Sequence, residues 1–125
     1  MSFDKTLVNQ ILTQIVDAID NLEQWNTDIT CGDDYLCSPE GMKTLAASSM
    51  LLAAIGEGLK KIDRRTSGSF LTLRDEIPWS DVMGMRDHIA HGYFDIDAEI
   101  VCDVIKNDLA ELREAIVFLR NTLEN

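Results

Sequence analysis

Apolar residues return every three or four positions along almost the whole chain, and that period admits helices and little else. Phe3, Leu7, Val8, Ile11, Leu12, Ile15, Val16, Ile19, Leu22 and Trp25 form the first such series. Residues at that spacing share one face of an α-helix, so the series predicts an amphipathic helix of about six turns. Asn9, Gln10, Thr13, Gln14, Asp17 and Asp20 occupy the opposite face and suit water. The run 27–39 contains Gly32, Asp33, Asp34, Ser38 and Pro39 and reads as a loop. Ser38-Pro39-Glu40-Gly41 then has the chemistry of a helix start. Ser38 supplies a hydroxyl cap, Pro39 sits in the first turn where no amide hydrogen is needed, and Glu40 suits the positive end of the dipole.

The second helix is expected to run to about Ile62, with Met42, Leu45, Met50, Leu52, Ala53, Ile55, Leu59 and Ile62 as its apolar contacts. Ala46, Ala47, Ser48, Ser49, Ala53, Ala54 and Gly56 make one face small, so another helix can approach closely, within the fold or across a dimer. Lys60, Lys61, Arg64 and Arg65 form a basic cluster at the end of this helix. Cations there match the negative helix terminus, or they rim a phosphate site; both readings stay open. Residues 66–78 are a connector with a short helical turn near 70–74. A third helix is expected to start at Ile77-Pro78-Trp79-Ser80, to carry Val82, Met83, Met85 and Ile89, and to end at Gly92. A fourth starts at Asp97 as N-cap and keeps its period through Ile100, Val104, Leu109, Leu112, Ile116, Leu119 and Leu123. No strand-period run competes and no internal repeat is visible. The expected fold is all-α: an up-down bundle of four main helices in a single domain, 1–125.

Composition narrows the function. Hydrophobic residues make up 46% and charged residues 26%, which is globular rather than disordered. No apolar run reaches membrane-span length, and Met1-Ser2-Phe3-Asp4-Lys5 carries no basic leader or apolar signal core, so the expected location is cytoplasmic. Cys31, Cys37 and Cys102 are odd in number, and the first two are six apart, which is not a zinc spacing; they read as reduced thiols. The net charge is −11, from 22 acidic and 11 basic residues. That balance argues against non-specific nucleic-acid binding, which needs many phosphate-neutralising cations. Any polyanion must enter through a small basic spot, while a basic protein partner would suit the acidic surface.

One stretch carries chemistry: Met85-Arg86-Asp87-His88-Ile89-Ala90-His91-Gly92-Tyr93-Phe94. It holds both histidines. A histidine near its ordinary pKa moves protons at neutral pH, and an arginine is a permanent cation whose planar fork suits phosphate. On one continuous helix Arg86 and Tyr93 would share a stripe, with His91 about 140° around from Arg86 and roughly 7.5 Å along. A bland reading competes: Arg86 pairs with Asp87 or Asp95, His91 caps the helix end, and Tyr93 packs under the fourth helix. His88 and His91 lie three apart, but no carboxylate or cysteine set completes a metal site, and no metal or other cofactor is expected. No nucleophile motif is present. Gly56-Glu57-Gly58 falls inside a helical pattern and lacks the spacing of a phosphate loop.

Arg86-x-x-x-x-His91-x-Tyr93 resembles the R-x-x-x-x-H-x-Y motif of HEPN domains, in the branch of HepT-like ribonuclease toxins. Ile77-Pro78-Trp79, Met85-Arg86-Asp87 and Ile96-Asp97-Ala98-Glu99-Ile100-Val101 look like the same branch, and the order of helices fits over nearly the whole chain. The resemblance implies an all-helical homodimer whose motifs line a shared cleft, metal-independent RNA cleavage, and a minimal nucleotidyltransferase antitoxin as partner. It assigns catalysis to Arg86 and His91, and substrate contact or modification by AMP to Tyr93. Asp87 and His88 are further candidate substrate-binding residues: His88, one turn before His91, lines the same groove or sits in solvent, and the position of Asp87 is often asparagine in this branch, where a carboxylate repels phosphate. The alternative is a non-catalytic nucleotide- or substrate-binding partner subunit of a nucleotidyltransferase.

Overall fold

The computed structural model describes residues 2–92 and 94–124. Among them are seven α-helices: α1 Lys5–Trp25, α2 Asp33–Leu36, α3 Pro39–Arg65, α4 Trp79–Met83, α5 Met85–Ile89, α6 Ala98–Asn107 and α7 Leu109–Thr122. A 3-10 turn, Leu71–Arg74, lies between α3 and α4. The described residues contain no strand, only an isolated antiparallel bridge between Ala90 and Ile96. No described helix is long and apolar enough to cross a membrane.

Side-chain caps open α1, α3 and α6, at Ser38 and Asp97 as expected and at Asp4 beyond the expectation. The Asp4 carboxylate accepts from the Leu7 amide at 3.1 Å and opens α1. The Ser38 hydroxyl accepts from the Gly41 amide at 3.0 Å, with Pro39 the first residue of α3. Arg64 and Arg65 stand in the last turn of α3, where the exposed carbonyls favour cations. α1 turns Val8, Ile11, Leu12, Ile15, Val16, Ile19 and Leu22 inward, against α3 on one side and α7 on the other. α3 is the central element and also packs on α2, α4, α5 and α6.

Three boundaries differ from the expectation. The stretch 27–39 is not all loop: Asp34 gathers the Thr30 amide and hydroxyl at 2.7 and 2.8 Å and nucleates α2, which buries Tyr35 completely. The third helix is not continuous to Gly92. It breaks at Gly84, whose amide closes α4 on the Ser80 carbonyl and whose carbonyl receives the Asp87 amide of α5, and it stops at Ile89. The fourth is divided at Asp108 into α6 and α7. Asp108 still donates to Val104 and accepts from Leu112, so the apolar period runs through the division undisturbed.

The small face of α3 is spent inside the fold. Ser48, Ser49 and Gly56 are buried. A Cβ on Gly56 would lie 3.0 Å from the carbonyl oxygens of both Val82 and Met83, so glycine lets α3 meet α4 backbone to side. What remains outside is a stripe of Met42, Ala46, Met50 and Ala54, with the two methionines 56% and 74% exposed.

A buried polar hub joins four elements. The Asn26 side-chain amide donates to the Leu22 carbonyl at 2.8 Å and to Ser48 Oγ at 2.9 Å. Its Oδ1 accepts the Tyr35 hydroxyl at 2.6 Å, and its backbone carbonyl accepts Lys106 Nζ at 2.8 Å. Asn26→Leu would strand the Tyr35 and Ser48 hydroxyls without water. Each unsatisfied buried group costs roughly 1–3 kcal/mol, so urea unfolding should show about 3 kcal/mol less stability. A loss below about 1 kcal/mol would mean that the hub is replaceable.

Candidate active site

Packing fixes α5 first. Met85 and Ile89 are buried, and α5 rests on α3 and α6. Beyond Ile89 the backbone becomes extended at Ala90, with φ −151° and ψ 134°. The chain then folds back on itself. The Asp97 amide donates to the Ile89 carbonyl at 2.8 Å, the His91 amide to the Asp95 carbonyl at 3.1 Å, and the Asp95 amide to the Gly92 carbonyl at 3.3 Å. With the Ala90–Ile96 bridge these bonds clamp the two ends of a surface loop between α5 and α6. Backbone pairing with Ile96 is what stops the helix short of Gly92.

Arg86 projects from the exposed side of α5, and His91 is exposed on the loop. The Ala90 amide donates to the Arg86 carbonyl at 3.1 Å, so Arg86 lies one turn beneath the residue that precedes His91. The two are thus placed by a helix end and a clamped loop, and not by one continuous helix, since α5 ends at Ile89. Tyr93 itself lies outside the described residues. Among the described residues neither the Arg86 nor the His91 side chain makes a hydrogen bond or ion pair. The bland pairings with Asp87, Asp95 or a helix end are therefore not made by described side chains.

The contrast with the other arginines is informative. Arg74 forks onto both Glu114 oxygens at 2.7 and 2.6 Å and also meets Glu76 at 2.7 Å. Arg113 meets Asp20 at 2.7 Å. Hydrogen bonds from Arg74 hold the Glu114 and Glu76 carboxyls below the usual range. Those arginines brace the surface of the fold; Arg86 does not.

Asp87 is exposed beside Arg86. His88 goes elsewhere. Two positions along α5 turn it about 200° away from Arg86. It lines a groove of about 480 Å³ between α4–α5 and α6–α7, with an apolar floor that includes Val82 and Val104 and with Asp81, Asp108 and Glu111 around it. Of the basic cluster, Lys60 pairs with Glu57 at 3.3 Å. Phe94, unassigned in the sequence reading, stands on the loop with 98% of its surface exposed.

Fold and site define an all-helical domain that exposes an arginine on α5 and a histidine on the surface loop that follows it. The family described as ribonuclease HepT-like matches residues 15–119, which includes that loop, and the chain belongs to this family. It is 34% identical over 109 residues to the Thermococcus cleftensis protein named "Probable ribonuclease HepT", covering 87% of this chain and 92% of that one. It is 27% identical over 122 residues to the Methanocaldococcus jannaschii protein named "Putative RNase MJ0127", covering 94% of each. No solved structure matches the chain.

Gly56 is the residue that sets the depth of α4 and α5. Gly56→Val should push the Val82–Met83 backbone outward and cost about 1–3 kcal/mol through overpacking. Amide chemical-shift changes should concentrate in residues 79–97, with α1 and α7 little affected. Changes confined to α3 would show that this contact does not position the site.

Proposed function

We propose that the chain is a metal-independent endoribonuclease toxin whose substrate supplies its own nucleophile. His91 takes the proton from a ribose 2′-hydroxyl, and the 2′-oxygen attacks the adjacent phosphorus. The bond from phosphorus to the 5′-oxygen breaks as that oxygen gains a proton from His91 acting as acid. The products are a 2′,3′-cyclic phosphate and a free 5′-hydroxyl. Arg86 stabilises the charge that grows on the non-bridging oxygens. Tyr93 positions the phosphate, and Asp87 limits how closely a second phosphate can approach.

The observation that carries the reading is the exposure of Arg86 on α5 and of His91 on the clamped loop that follows it, in a chain that ties Arg74 and Arg113 to carboxylates. Membership of the HepT-like ribonuclease family supports it. We also propose a homodimer, with the α3 stripe of Met42, Ala46, Met50 and Ala54 as the surface two copies share, and a nucleotidyltransferase antitoxin that silences the chain by attaching AMP to Tyr93. An adenylyl group there would place a second phosphate beside Arg86 and a base over the loop.

The purified protein should cut single-stranded RNA in EDTA. His91→Ala should lower the rate by about 10²–10⁴ and Arg86→Ala by about 10²–10³, with unchanged far-UV helix signal. Wild-type rates in both variants would sink the catalytic assignment. No cleavage by wild type would favour a binding subunit of a nucleotidyltransferase, to which the −11 charge is better suited. Sedimentation should give twice the 14.0 kDa chain mass, and Met50→Glu should return it to one. A monomeric wild type would remove the shared cleft.

A further inference from the structure

We infer that the groove between α4–α5 and α6–α7 docks a partner protein, through a segment of apolar residues flanked by lysine or arginine. The inference rests neither on RNA cleavage nor on modification of Tyr93, and it gives a role to the face of α5 that those readings leave unused.

The groove holds about 480 Å³, within the range of clefts that take up ligands. Its floor is aliphatic, and Val82, Ile100 and Val104 are only half-buried there. Such surface is stabilised when an apolar side chain displaces the water over it. The rim has the opposite character. Asp81 stands on the α4 wall, Asp108 and Glu111 on the facing wall, and all three are exposed. Asp108 and Glu111 are three positions apart at the start of α7, so they lie on one side of that helix. Helix dipoles favour acids at helix starts, but they do not require acids from two helix starts to border one apolar cleft. Elsewhere the fold answers its surface carboxylates with cations: Asp20 takes Arg113, Glu57 takes Lys60, and Glu76 and Glu114 share Arg74. Among the described residues the three at the groove have no ion-pair partner. The groove lining includes His88 but no lysine or arginine.

These two characters together select the occupant. A polyanion would meet only like charge, and a wholly apolar guest would leave the carboxylates of both walls facing one another without a counter-charge. A second copy of this chain carries −11 and would bring acid to acid. The α3 stripe proposed for the homodimer is elsewhere, since no residue of α3 lines the groove. Lysine and arginine suit floor and rim at once. Their aliphatic stems lie along apolar surface while the charged ends reach out to carboxylates. Acids on both walls let cations on either side of an apolar stretch be held, which sets the register of the segment as well as its charge.

The test uses the full chain and a fluorescent amphipathic peptide of leucines and lysines, with the leucines on one helical face. A peptide of equal charge with serine for leucine is the control. In isotope-labelled wild type the leucine–lysine peptide should shift amide resonances in residues 77–89 and 100–112, and not along α1. By anisotropy, Asp81→Lys with Glu111→Lys should weaken binding about tenfold. Asp17→Lys with Asp28→Lys makes the same change in net charge away from the groove and should weaken it less than about twofold. The serine peptide should bind about tenfold more weakly than the leucine one. Equal loss in the two double variants would overturn the docking site, because overall charge would then suffice. Equal binding of the two peptides would overturn it too, because the floor would have no part. Should Asp81→Lys with Glu111→Lys lose its far-UV helix signal, the resonance map of wild type decides, and shifts that spare the groove overturn the inference. A fall in sedimentation mass in that variant would also overturn it, because the groove would then be covered by a second copy.

Discussion

Asn26 is the point at which four separate segments become one structure, three through its side chain and the fourth through its backbone carbonyl. It sits just past the end of α1, fully buried, and its amide and carbonyl are used by the last turn of α1, by Ser48 of α3 and by Tyr35 of α2. Its backbone carbonyl takes Lys106 of α6. A buried amide is tolerable only when its hydrogen bonds are satisfied, so each partner must be in place before the others are stable. That coupling reaches the site through α6. The Glu99 carboxylate accepts the Gly32 amide at 2.7 Å, holding the start of α6 against the segment that leads into α2. The residues immediately before α6, Ile96 and Asp97, are the ones that clamp the loop bearing His91. A hub far from the chemistry thus fixes the helix that fixes the loop.

Helical period was legible from sequence because burial of one face is a sum over many residues and survives local irregularity. Val8 to Leu22 went inward as their spacing requires, and Ser38 and Asp97 cap α3 and α6 with their own side chains as expected. Breaks were illegible for the same reason. At Asp108 the hydrogen-bond ladder continues across the division, so Ile105, Leu109 and Leu112 keep an unbroken pattern. At Gly84 the interruption depends on α3, whose Gly56 admits the Val82–Met83 carbonyls, and no local signal records a contact 26 or more residues away.

The candidate site was legible as residue types and not as geometry. Arg86 and His91 are both exposed, but the helix that would have set their angular relation ends at Ile89. The reason is a backbone pairing between Ala90 and Ile96, six residues apart, which neither residue's propensity demands. His88 was grouped with them by proximity, yet the turn of α5 sends it to the far side.

That separation gives α5 two unlike faces, and the difference constrains where a polyanion can lie. On the His88 side the groove is aliphatic and bordered by Asp81, Asp108 and Glu111, with no lysine or arginine among its lining residues. A phosphate there would lose its hydration and gain only repulsion. Arg86 stands about 200° around α5 from His88, without a carboxylate partner among the described residues, and the loop with His91 follows the helix. In the proposed function a strand of RNA would be confined to the Arg86 face by exclusion as much as by attraction. It would also have to cross the loop at His91, the proposed proton-transferring residue. An acidic protein could in this way handle a polyanion: general repulsion would suppress non-specific binding, and one cation on one face would decide which phosphate is presented to the histidine.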